Sequence, residues 1–319
     1  RLLADFGADV IKIEPREGDS GRNFGAQVDG VSLYATSMYR NKRTVALDLK
    51  SEAGRDLALK LIERADVLVE NFRPGVLERL GLGEDVLRTR NPGLFVVRIS
   101  GYGQTGPYRM LPGYGVTCEA VGGVRHLTGD PDRPPARVAL AVTDYLTAVY
   151  AAFGATMALL ARKAGADGQT VDVALYESAF SMMEEAVPAY AKTGAVPVRK
   201  GPRLMNTAPN SLYPTKDGRW VLIAVNNDAI FARLAAAMGH PEWAHDSRFA
   251  TQRARGERPD EIDALVTEWT SHHSSDEVQA RLVEAPPPSP TSSRTSTTTP
   301  GRCSSGCRTR SWETSPWPV

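Results

Sequence analysis

Asp144 is the residue whose type and setting most directly suggest chemistry. Between Arg137 and Arg162 it is the only side chain that is charged at neutral pH. A carboxylate in apolar surroundings is costly unless it is paired or used in function. Such a carboxylate can attack an acyl group and form a covalent intermediate. A second interpretation stays open, because Asp144 or Thr143 could instead cap the helix that follows.

Asn71, Phe72 and Arg73 form a second candidate group, directly after the strand-like segment Asp66–Glu70. Open α/β sheets bind ligands at the carboxyl ends of their parallel strands. Asn and Arg side chains can donate hydrogen bonds to phosphate or adenine, and Phe offers a stacking face. The segment is therefore a candidate ligand site. The alternative is a plain strand-to-helix turn, with Pro74 at the first helical position.

The run Gly101–Gly106 has the G-x-G-x-x-G spacing of a dinucleotide fingerprint, but its context differs. That fingerprint must open a helix whose N-terminus holds the pyrophosphate. Pro107 and the pair Pro112-Gly113 keep this segment in a loop, so we expect a surface loop near an active site and no NAD site. The five histidines show no zinc spacing, and no G-x-S-x-G elbow or P-loop is present.

The charge balance of the 319-residue chain argues against nucleic acid or an anionic membrane as its main partner. Lys and Arg number 38 and Asp and Glu 37, which gives a formal net charge of +1. No uninterrupted apolar run reaches the roughly 20 residues of a membrane helix. The richest stretch, Val138–Ala161, is expected to form a buried helix. Three cysteines do not make a disulfide framework, so a cytoplasmic location is expected.

Strand-like and helix-like segments alternate along most of the chain. Ser51 is a good N-cap for a helix whose apolar face would carry Leu57, Leu61 and Ala65. A longer helix is predicted over Asp144–Arg162. This alternation predicts a mostly parallel sheet with helices on both faces. The predicted strands are Val10–Glu14, Thr44–Leu49, Asp66–Glu70, Leu94–Ile99 and Thr170–Ala174.

Composition divides the chain into a large domain (1–191), a linker (192–209), a smaller domain (210–285) and a tail (286–319). The linker is rich in Gly, Pro and basic residues. The smaller domain is expected to contain the strand Trp220–Val225, the helix Asp228–Met238 and two or three further helices that reach Glu284.

Both ends of the sequence are unusual. The tail is a Ser, Thr and Pro tract without periodicity, so we expect it to be disordered. Its abrupt start favours a frameshift in a GC-rich gene over a natural tail. The chain opens at Arg1 directly in a helix that leads into a strand, so we expect an N-terminal piece to be missing.

Several segments together closely resemble class III CoA-transferases, the CaiB/BaiF family that includes formyl-CoA transferase. Their order and spacing, from Arg1 to about Glu284, make the match specific, whereas any one motif alone would not be. The segments are GADVIKIE, NKRTVALDLKSEAGR, ADVLVENFRPGVLERLGLG, SGYGQTGPY, the stretch around VTDYLTA, TVDVALYESAF and NTAPNSLYPTKDGRWVLIAVNND.

The resemblance implies an α/β fold and a specific reaction. The fold would be a Rossmann-like large domain plus a smaller α+β domain, in two subunits interlocked like links of a chain. The reaction would be CoA transfer from an acyl-CoA to a carboxylic acid, of EC 2.8.3 type. Asp144 would attack the thioester to form a mixed anhydride, and the CoA thiolate would return to form an aspartyl-CoA thioester. The acceptor acid would then open that thioester.

The resemblance also implies site residues and partners. Tyr114 would be an active-site tyrosine beside the nucleophile Asp144. CoA or acyl-CoA would be a cosubstrate, with no tightly bound cofactor and no metal, and the protein would be a cytoplasmic homodimer. The implied CoA contacts are Leu47, Lys50, Asn71, Phe72, Arg73 and Arg79.

This sequence departs from the family pattern in three places. The first strand, with a turn that contacts CoA, is absent before Arg1, and the tail replaces the end of the large domain. Gly115 stands where many members carry an acidic residue. We therefore expect the chain as written to be unstable or inactive, although its full-length parent is an enzyme.

Two other functions are weighed against the transferase. A racemase of 2-methylacyl-CoA shares this fold, but it needs an acid/base pair across the α-carbon, usually His with Asp. Tyr114 occupies the matching His position, and His126 belongs to a different stretch. The other alternative is a truncated remnant that binds CoA without catalysis.

Overall fold

The computed structural model describes residues 1–204 and 206–284, which fall into two compact units. The division between the units lies between Met205 and Asn206. The predicted limits of the large domain (1–191), the linker (192–209) and the small domain (210–285) stay a prediction. The predicted disordered tail (286–319) lies outside the described residues.

The first unit alternates strands and helices. Its helices are α1 (Leu2–Asp5), α2 (Leu33–Tyr39), α3 (Glu52–Ile62), α4 (Val76–Arg79), α5 (Glu84–Arg90), α6 (Gly115–Val121), α7 (Val124–Leu127), α8 (Val142–Lys163), α9 (Leu175–Phe180) and α10 (Ala186–Thr193). Its strands are β1 (Val10–Glu14), β2 (Gln27–Val28), β3 (Val31–Ser32), β4 (Lys42–Ala46), β5 (Val67–Glu70), β6 (Phe95–Ser100) and β7 (Thr170–Ala174).

The parallel strands of this unit lie in two sheets. β1 pairs with β4, and β6 pairs with β5 on one side and β7 on the other. Side chains alternate across a strand, so neighbouring residues of β6 enter different clusters. Val96 packs with α3, α4 and α5, whereas Val97 packs with Ala151 and Ala155 of α8. The predicted α/β class, with helices on both faces of a parallel sheet, is confirmed.

The start of α3 is as predicted, but its buried face is not. Ser51 is the N-cap, and its hydroxyl accepts a hydrogen bond from the Gly54 N–H. The predicted apolar face was wrong at Leu57, which is 48% exposed, whereas Ala65 packs against the core from beyond the end of the helix. The long side chains that reach the core are Leu59 and Ile62, which meet the apolar residues of α4 and α5. The helix carries apolar residues on two faces, and contacts with α4 and α5 bury the face of Leu59 and Ile62.

Helix α8 is buried along one face only, which corrects the expectation of a buried helix. The buried residues are small: Thr143, Thr147, Ala151, Ala155 and Ala158. By length and composition alone α8 is also long and apolar enough to cross a membrane, which the sequence analysis did not expect. Its small face nevertheless packs on β6 and β7, as a helix of an α/β layer does. The exposed large apolar residues are Tyr145, Val149, Tyr150, Phe153, Met157 and Leu160.

The second unit is a small α+β unit. The antiparallel strands β8 (Asn210–Pro214) and β9 (Trp220–Ala224) pair with Ser211 opposite Ile223. Arg255 is fully buried, and its guanidinium donates to the Asp228 carboxylate at 2.9 Å and to two backbone carbonyls. The unit contains β8 (Asn210–Pro214), β9 (Trp220–Ala224), α11 (Asp228–Ala237), α12 (Gln252–Glu257), α13 (Pro259–Ser271) and α14 (Ser275–Glu284).

Candidate active site

Asp144 lies in the first turn of α8 and is exposed. The N-cap of this helix is Ala141, so the alternative interpretation of Asp144 or Thr143 as the cap was wrong. Thr143 is buried instead, and its hydroxyl has no hydrogen-bond partner within the described part of the chain. The Asp144 carboxylate is therefore not committed to capping its own helix.

The carboxylate of Asp144 lies directly against Gly115, the first residue of α6. A Cβ atom at position 115 would lie 2.1 Å from Asp144 Oδ2 and 2.7 Å from its Cγ. Tyr114 precedes Gly115 as the N-cap of α6, and its side chain is 72% exposed. The fold thus brings the predicted nucleophile to the residue that follows the predicted active-site tyrosine.

The surroundings of Asp144 shift two pKa values. Desolvation by neighbouring atoms raises the pKa of the Asp144 carboxyl above its usual value, although the residue is exposed. A hydrogen bond from its own backbone N–H and the positive charge of Arg137 oppose this shift. Burial, with a smaller contribution from the Asp144 charge, raises the pKa of the Cys118 thiol to about 11. The thiol is therefore protonated at neutral pH, and it lies 3.3 Å from the Gly101 carbonyl oxygen as a donor. The protonated thiol is therefore a poor nucleophile at neutral pH.

The loop between β6 and α6 closes on itself at two glycines. A Cβ atom on Gly101 would lie 2.6 Å from the Cα atom of Gly113, so the two backbones touch. Asp172 of β7 accepts a hydrogen bond of 2.8 Å from the Gln104 N–H within this loop. The Gly101–Gly106 segment opens no helix, as predicted. The loop returns the chain to the end of β6, where Tyr114 begins α6.

The six residues predicted to contact CoA follow two strands that belong to different sheets. Leu47 and Lys50 follow β4, while Asn71, Phe72 and Arg73 follow β5. Each group lies at the carboxyl end of a parallel strand, where ligands of α/β proteins bind. All of them except Leu47 are exposed.

Arg79 completes the group that follows β5. It ends α4, and its guanidinium lies 3.3 Å from the position that a Cβ atom of Gly75 would occupy. Gly75 has φ +82°, a conformation that favours glycine, and it forms the N-cap of α4. Arg79 is therefore folded back over the turn that carries Asn71, Phe72 and Arg73.

A buried ionic network that the sequence analysis missed holds this turn. Glu70 is 5% exposed, and its carboxylate accepts hydrogen bonds from Arg98 Nε at 2.8 Å and from the Phe72 N–H at 2.7 Å. Arg98 also donates to Glu78 of α4 at 2.8 Å. Desolvation opposes the shift, but the hydrogen bond from Arg98 holds the pKa of Glu78 below its usual value. The sequence signal for this network was a single charged residue in each of two otherwise apolar neighbouring strands, Glu70 in β5 and Arg98 in β6.

A second missed network follows β1. The buried carboxylate of Glu14 pairs with Arg22 at 2.7 Å and with Lys12 at 3.1 Å. Tyr39 donates to Asp19 at 2.5 Å, and Lys12 lies over the Tyr39 ring. Hydrogen bonds from Tyr39 and the Gly21 N–H outweigh desolvation and lower the pKa of Asp19 to about 2. These contacts order the segment between β1 and β2.

His126 and the possible metal ligands of the described ranges were both candidates for chemistry. The Nε2 atom of His126 on α7 lies 3.0 Å from the Pro197 carbonyl oxygen, so the ring has a backbone partner. Among residues 1–204 and 206–284, no group of three or more His, Cys, Asp or Glu side chains could hold a metal ion.

Comparison with known proteins gives the family. The family model described as CoA-transferase family III matches residues 1–294. The chain belongs to CoA-transferase family III. It is 46% identical to succinyl-CoA–D-citramalate CoA-transferase of Chloroflexus aurantiacus over 286 residues. The matched region covers 89% of this chain and 71% of that protein. It is 35% identical over 302 residues to succinate–glutarate CoA-transferase of Agrobacterium fabrum, which covers 92% and 75%.

A solved structure supports the same assignment. The crystal structure of a CaiB/BaiF family protein from Brucella suis matches with a TM-score of 0.75 and 36% identity, over 90% of this chain and 77% of that chain. The predicted family and fold are confirmed, and the protein is a CoA-transferase of EC 2.8.3 type with a CoA thioester as cosubstrate. The expectation that the chain as written is unstable or inactive stays a prediction.

Proposed function

We propose that this CoA-transferase moves CoA from succinyl-CoA to a dicarboxylic acid, with Asp144 as the nucleophile. The relatives named for succinyl-CoA, citramalate and malate motivate the choice of substrates. The observation that carries the proposal is the exposed Asp144 carboxylate, held against Gly115 next to Tyr114. It makes no ion pair with any described residue, so it is free to react.

The first half of the reaction transfers the donor's CoA to the enzyme. An Asp144 oxygen attacks the thioester carbonyl, the C–S bond breaks, and CoA leaves as the thiolate. The product on the enzyme is a mixed anhydride. The thiolate then attacks the Asp144 carbonyl, the donor acid leaves as its carboxylate, and an aspartyl-CoA thioester remains.

The second half repeats these steps in reverse with the acceptor. The acceptor carboxylate attacks the aspartyl-CoA carbonyl and displaces CoA thiolate. The thiolate attacks the acceptor side of the new anhydride, which forms acceptor-CoA and returns the Asp144 carboxylate. One CoA thioester and one free carboxylate are present at both the start and the end of the reaction, so no external energy source is required.

Tyr114 and the six proposed CoA contacts supply positioning. The exposed Tyr114 hydroxyl is suited to donate a hydrogen bond to the oxyanion that forms when Asp144 attacks. The positive charges of Lys50, Arg73 and Arg79 suit the phosphates of CoA. Leu47 and Phe72 offer apolar contacts to its adenine or pantetheine part, and the amide of Asn71 offers hydrogen bonds.

The proposed assembly is a cytoplasmic homodimer. The exposed stripe on α8 runs through Tyr145, Val149 and Phe153 at helical spacing, beginning beside the nucleophile. Contiguous apolar surface of this kind is typical of a protein–protein interface. A second copy of this chain is the occupant that the family's interlocked architecture suggests.

Trapping with hydroxylamine tests the proposed nucleophile. The full-length protein is incubated with succinyl-CoA and then with hydroxylamine, which captures activated carboxylates. Mass spectrometry should find a hydroxamate on Asp144 that depends on the donor. If no donor gives an adduct there, and the protein instead exchanges the α-proton of a 2-methylacyl-CoA, the transferase proposal is wrong and a racemase is favoured.

A further inference from the structure

Gly115 is a glycine that its backbone conformation does not require. It is not among the glycines whose φ angle lies in the left-handed region. It is buried at the first position of α6, where the backbone conformation is open to any residue. The reason for glycine at this position must therefore lie in the space around it.

The space that a side chain of residue 115 would need is filled by the Asp144 carboxylate. A Cβ atom there would lie 2.1, 2.7 and 2.9 Å from Oδ2, Cγ and Oδ1, whereas ordinary contacts begin at 3.4 Å. A methyl group and the carboxylate cannot both occupy their places. Either α6 must shift or the Asp144 side chain must move.

The surroundings of α6 favour movement of the side chain. The backbone just before α6 is fixed, because Gly113 touches the Gly101 backbone. One turn later Cys118 is fully buried and hydrogen-bonded to the Gly101 carbonyl. The Asp144 carboxylate, by contrast, is the exposed end of a short side chain that turns about two torsions.

We propose that Gly115 is a positioning residue for the reaction. Its missing side chain reserves the space in which the Asp144 carboxylate lies, and so sets the direction from which that carboxylate attacks the thioester. This inference rests on the proposed function of Asp144 as the nucleophile. In this chain, a methyl group at position 115 turns the carboxylate away from that direction while the fold remains.

The inference predicts a separation of rate from binding and stability. A misplacement of about 1 Å at a reacting group costs on the order of 100-fold in rate. Gly115→Ala should therefore lower kcat about 100-fold. The KM for succinyl-CoA and the thermal midpoint should stay close to those of the unmodified protein, because the CoA contacts and the backbone are unchanged.

Gly93→Ala is the matched control. Gly93 also has an ordinary φ angle, and the nearest atom to its Cβ position is Asn91 Oδ1 at 3.7 Å, a normal contact. The same methyl group is thus added to the same unit without an overlap. This variant should keep the kcat, the KM and the rate of hydroxamate formation on Asp144.

The experiment measures hydroxamate formation, kcat, KM and thermal midpoint for the unmodified protein and both variants. Slow labelling of Asp144 in Gly115→Ala alone, with an unchanged midpoint, supports the positioning role. Labelling at the unmodified rate, or faster, overturns it. Absence of the adduct from the unmodified protein would instead show that the proposed function itself has failed.

A double-mutant cycle covers the case in which Gly115→Ala unfolds. The change is then made in the Asp144→Ala background, where the carboxylate is gone. If the overlap with Asp144 causes the instability, the second protein should tolerate the methyl group. Equal destabilisation in both backgrounds would show that Gly115 serves the backbone of α6, and would contradict the positioning role.

Discussion

Two carboxylates of the first unit, Glu70 and Asp144, have opposite surroundings. Glu70 is buried, and it is satisfied by the Arg98 guanidinium and the Phe72 N–H. Asp144 is exposed and lies against a glycine, without an ion pair in the described ranges. A carboxylate that is buried in an ion pair at the end of a strand fixes a turn, whereas an exposed carboxylate without an ion pair is available to react. The comparison separates the charge that holds the turn after β5 from the charge that we propose as the nucleophile.

Removing Asp144 should abolish activity and spare stability, whereas removing Glu70 should mainly lower stability. Asp144→Ala should lower transfer more than about 1,000-fold, because the covalent route needs this oxygen nucleophile. The free energy of unfolding should change by less than about 0.5 kcal/mol, since Asp144 makes few structural contacts. Enzyme assays and urea unfolding measure the two quantities. Retained transfer would show that another residue is the nucleophile.

Glu70→Ala should act mainly on stability. The substitution leaves Arg98 with reduced compensation in a buried position, which costs about 3–5 kcal/mol. Glu63→Ala is the matched control, because Glu63 pairs with Arg90 on the surface, where such pairs contribute less than about 1 kcal/mol. Urea unfolding compares the two variants. Similar small losses in both would contradict a structural role for the Glu70 network.

Arg73 sharpens the comparison on the binding side. Arg73→Ala should raise the KM for succinyl-CoA about tenfold and leave kcat nearly unchanged, because a contact to a CoA phosphate binds ground state and transition state alike. Arg64→Ala removes another exposed arginine of the same unit and should change neither quantity. A fall in kcat with constant KM would place Arg73 nearer the reacting atoms.

The exposed stripe of α8 should control assembly. Phe153→Glu puts a charge into the proposed subunit interface and should weaken self-association by about 2 kcal/mol or more. Phe6→Glu is the control, since Phe6 is 90% exposed and lies outside α8. Sedimentation over a range of concentrations measures both. A protein that stays monomeric without any substitution would remove the homodimer from the proposal.

Asp144 and Glu78 should have opposite effects on the stability of the folded protein at neutral pH. The pKa of Asp144 is raised by desolvation, so ionisation of Asp144 above its pKa costs the folded state stability. Asp144→Asn should therefore be slightly more stable at neutral pH, and the difference should fade as the pH falls through that pKa.

The pKa of Glu78 is lowered, so its stabilising effect is present at neutral pH and is lost on acidification. Glu78→Gln should thus be less stable at neutral pH, with a difference that also fades in acid. Thermal midpoints measured across the acidic range test both signs. A loss of stability in Asp144→Asn at neutral pH would contradict the net destabilising effect of desolvation on the Asp144 carboxylate.

Local patterns predicted the elements better than the contacts between them. Val10–Glu14 and Thr170–Ala174 were predicted with the bounds that the structure has, since alternation and apolar runs are local signals. The prediction that α8 is a buried helix was wrong. Its apolar residues lie on all sides of the helix, so the sequence pattern does not show which face packs against the sheet. The contact between Asp144 and Gly115 could not be predicted from local sequence, since the two residues lie on different helices. The roles of the site residues came from family resemblance.

Oxygen transfer to Asp144 tests the central claim most directly. The full-length protein is incubated with succinyl-CoA and an acceptor acid whose carboxylate oxygens are ¹⁸O, until many turnovers have occurred. The mass of the peptide that contains Asp144 is then measured by mass spectrometry. In the proposed route the thiolate attacks the acceptor side of the anhydride, so the oxygen between the two acyl groups stays on the enzyme. We predict that Asp144 gains ¹⁸O only when both substrates are present. An unlabelled Asp144 after many turnovers would contradict Asp144 as the nucleophile.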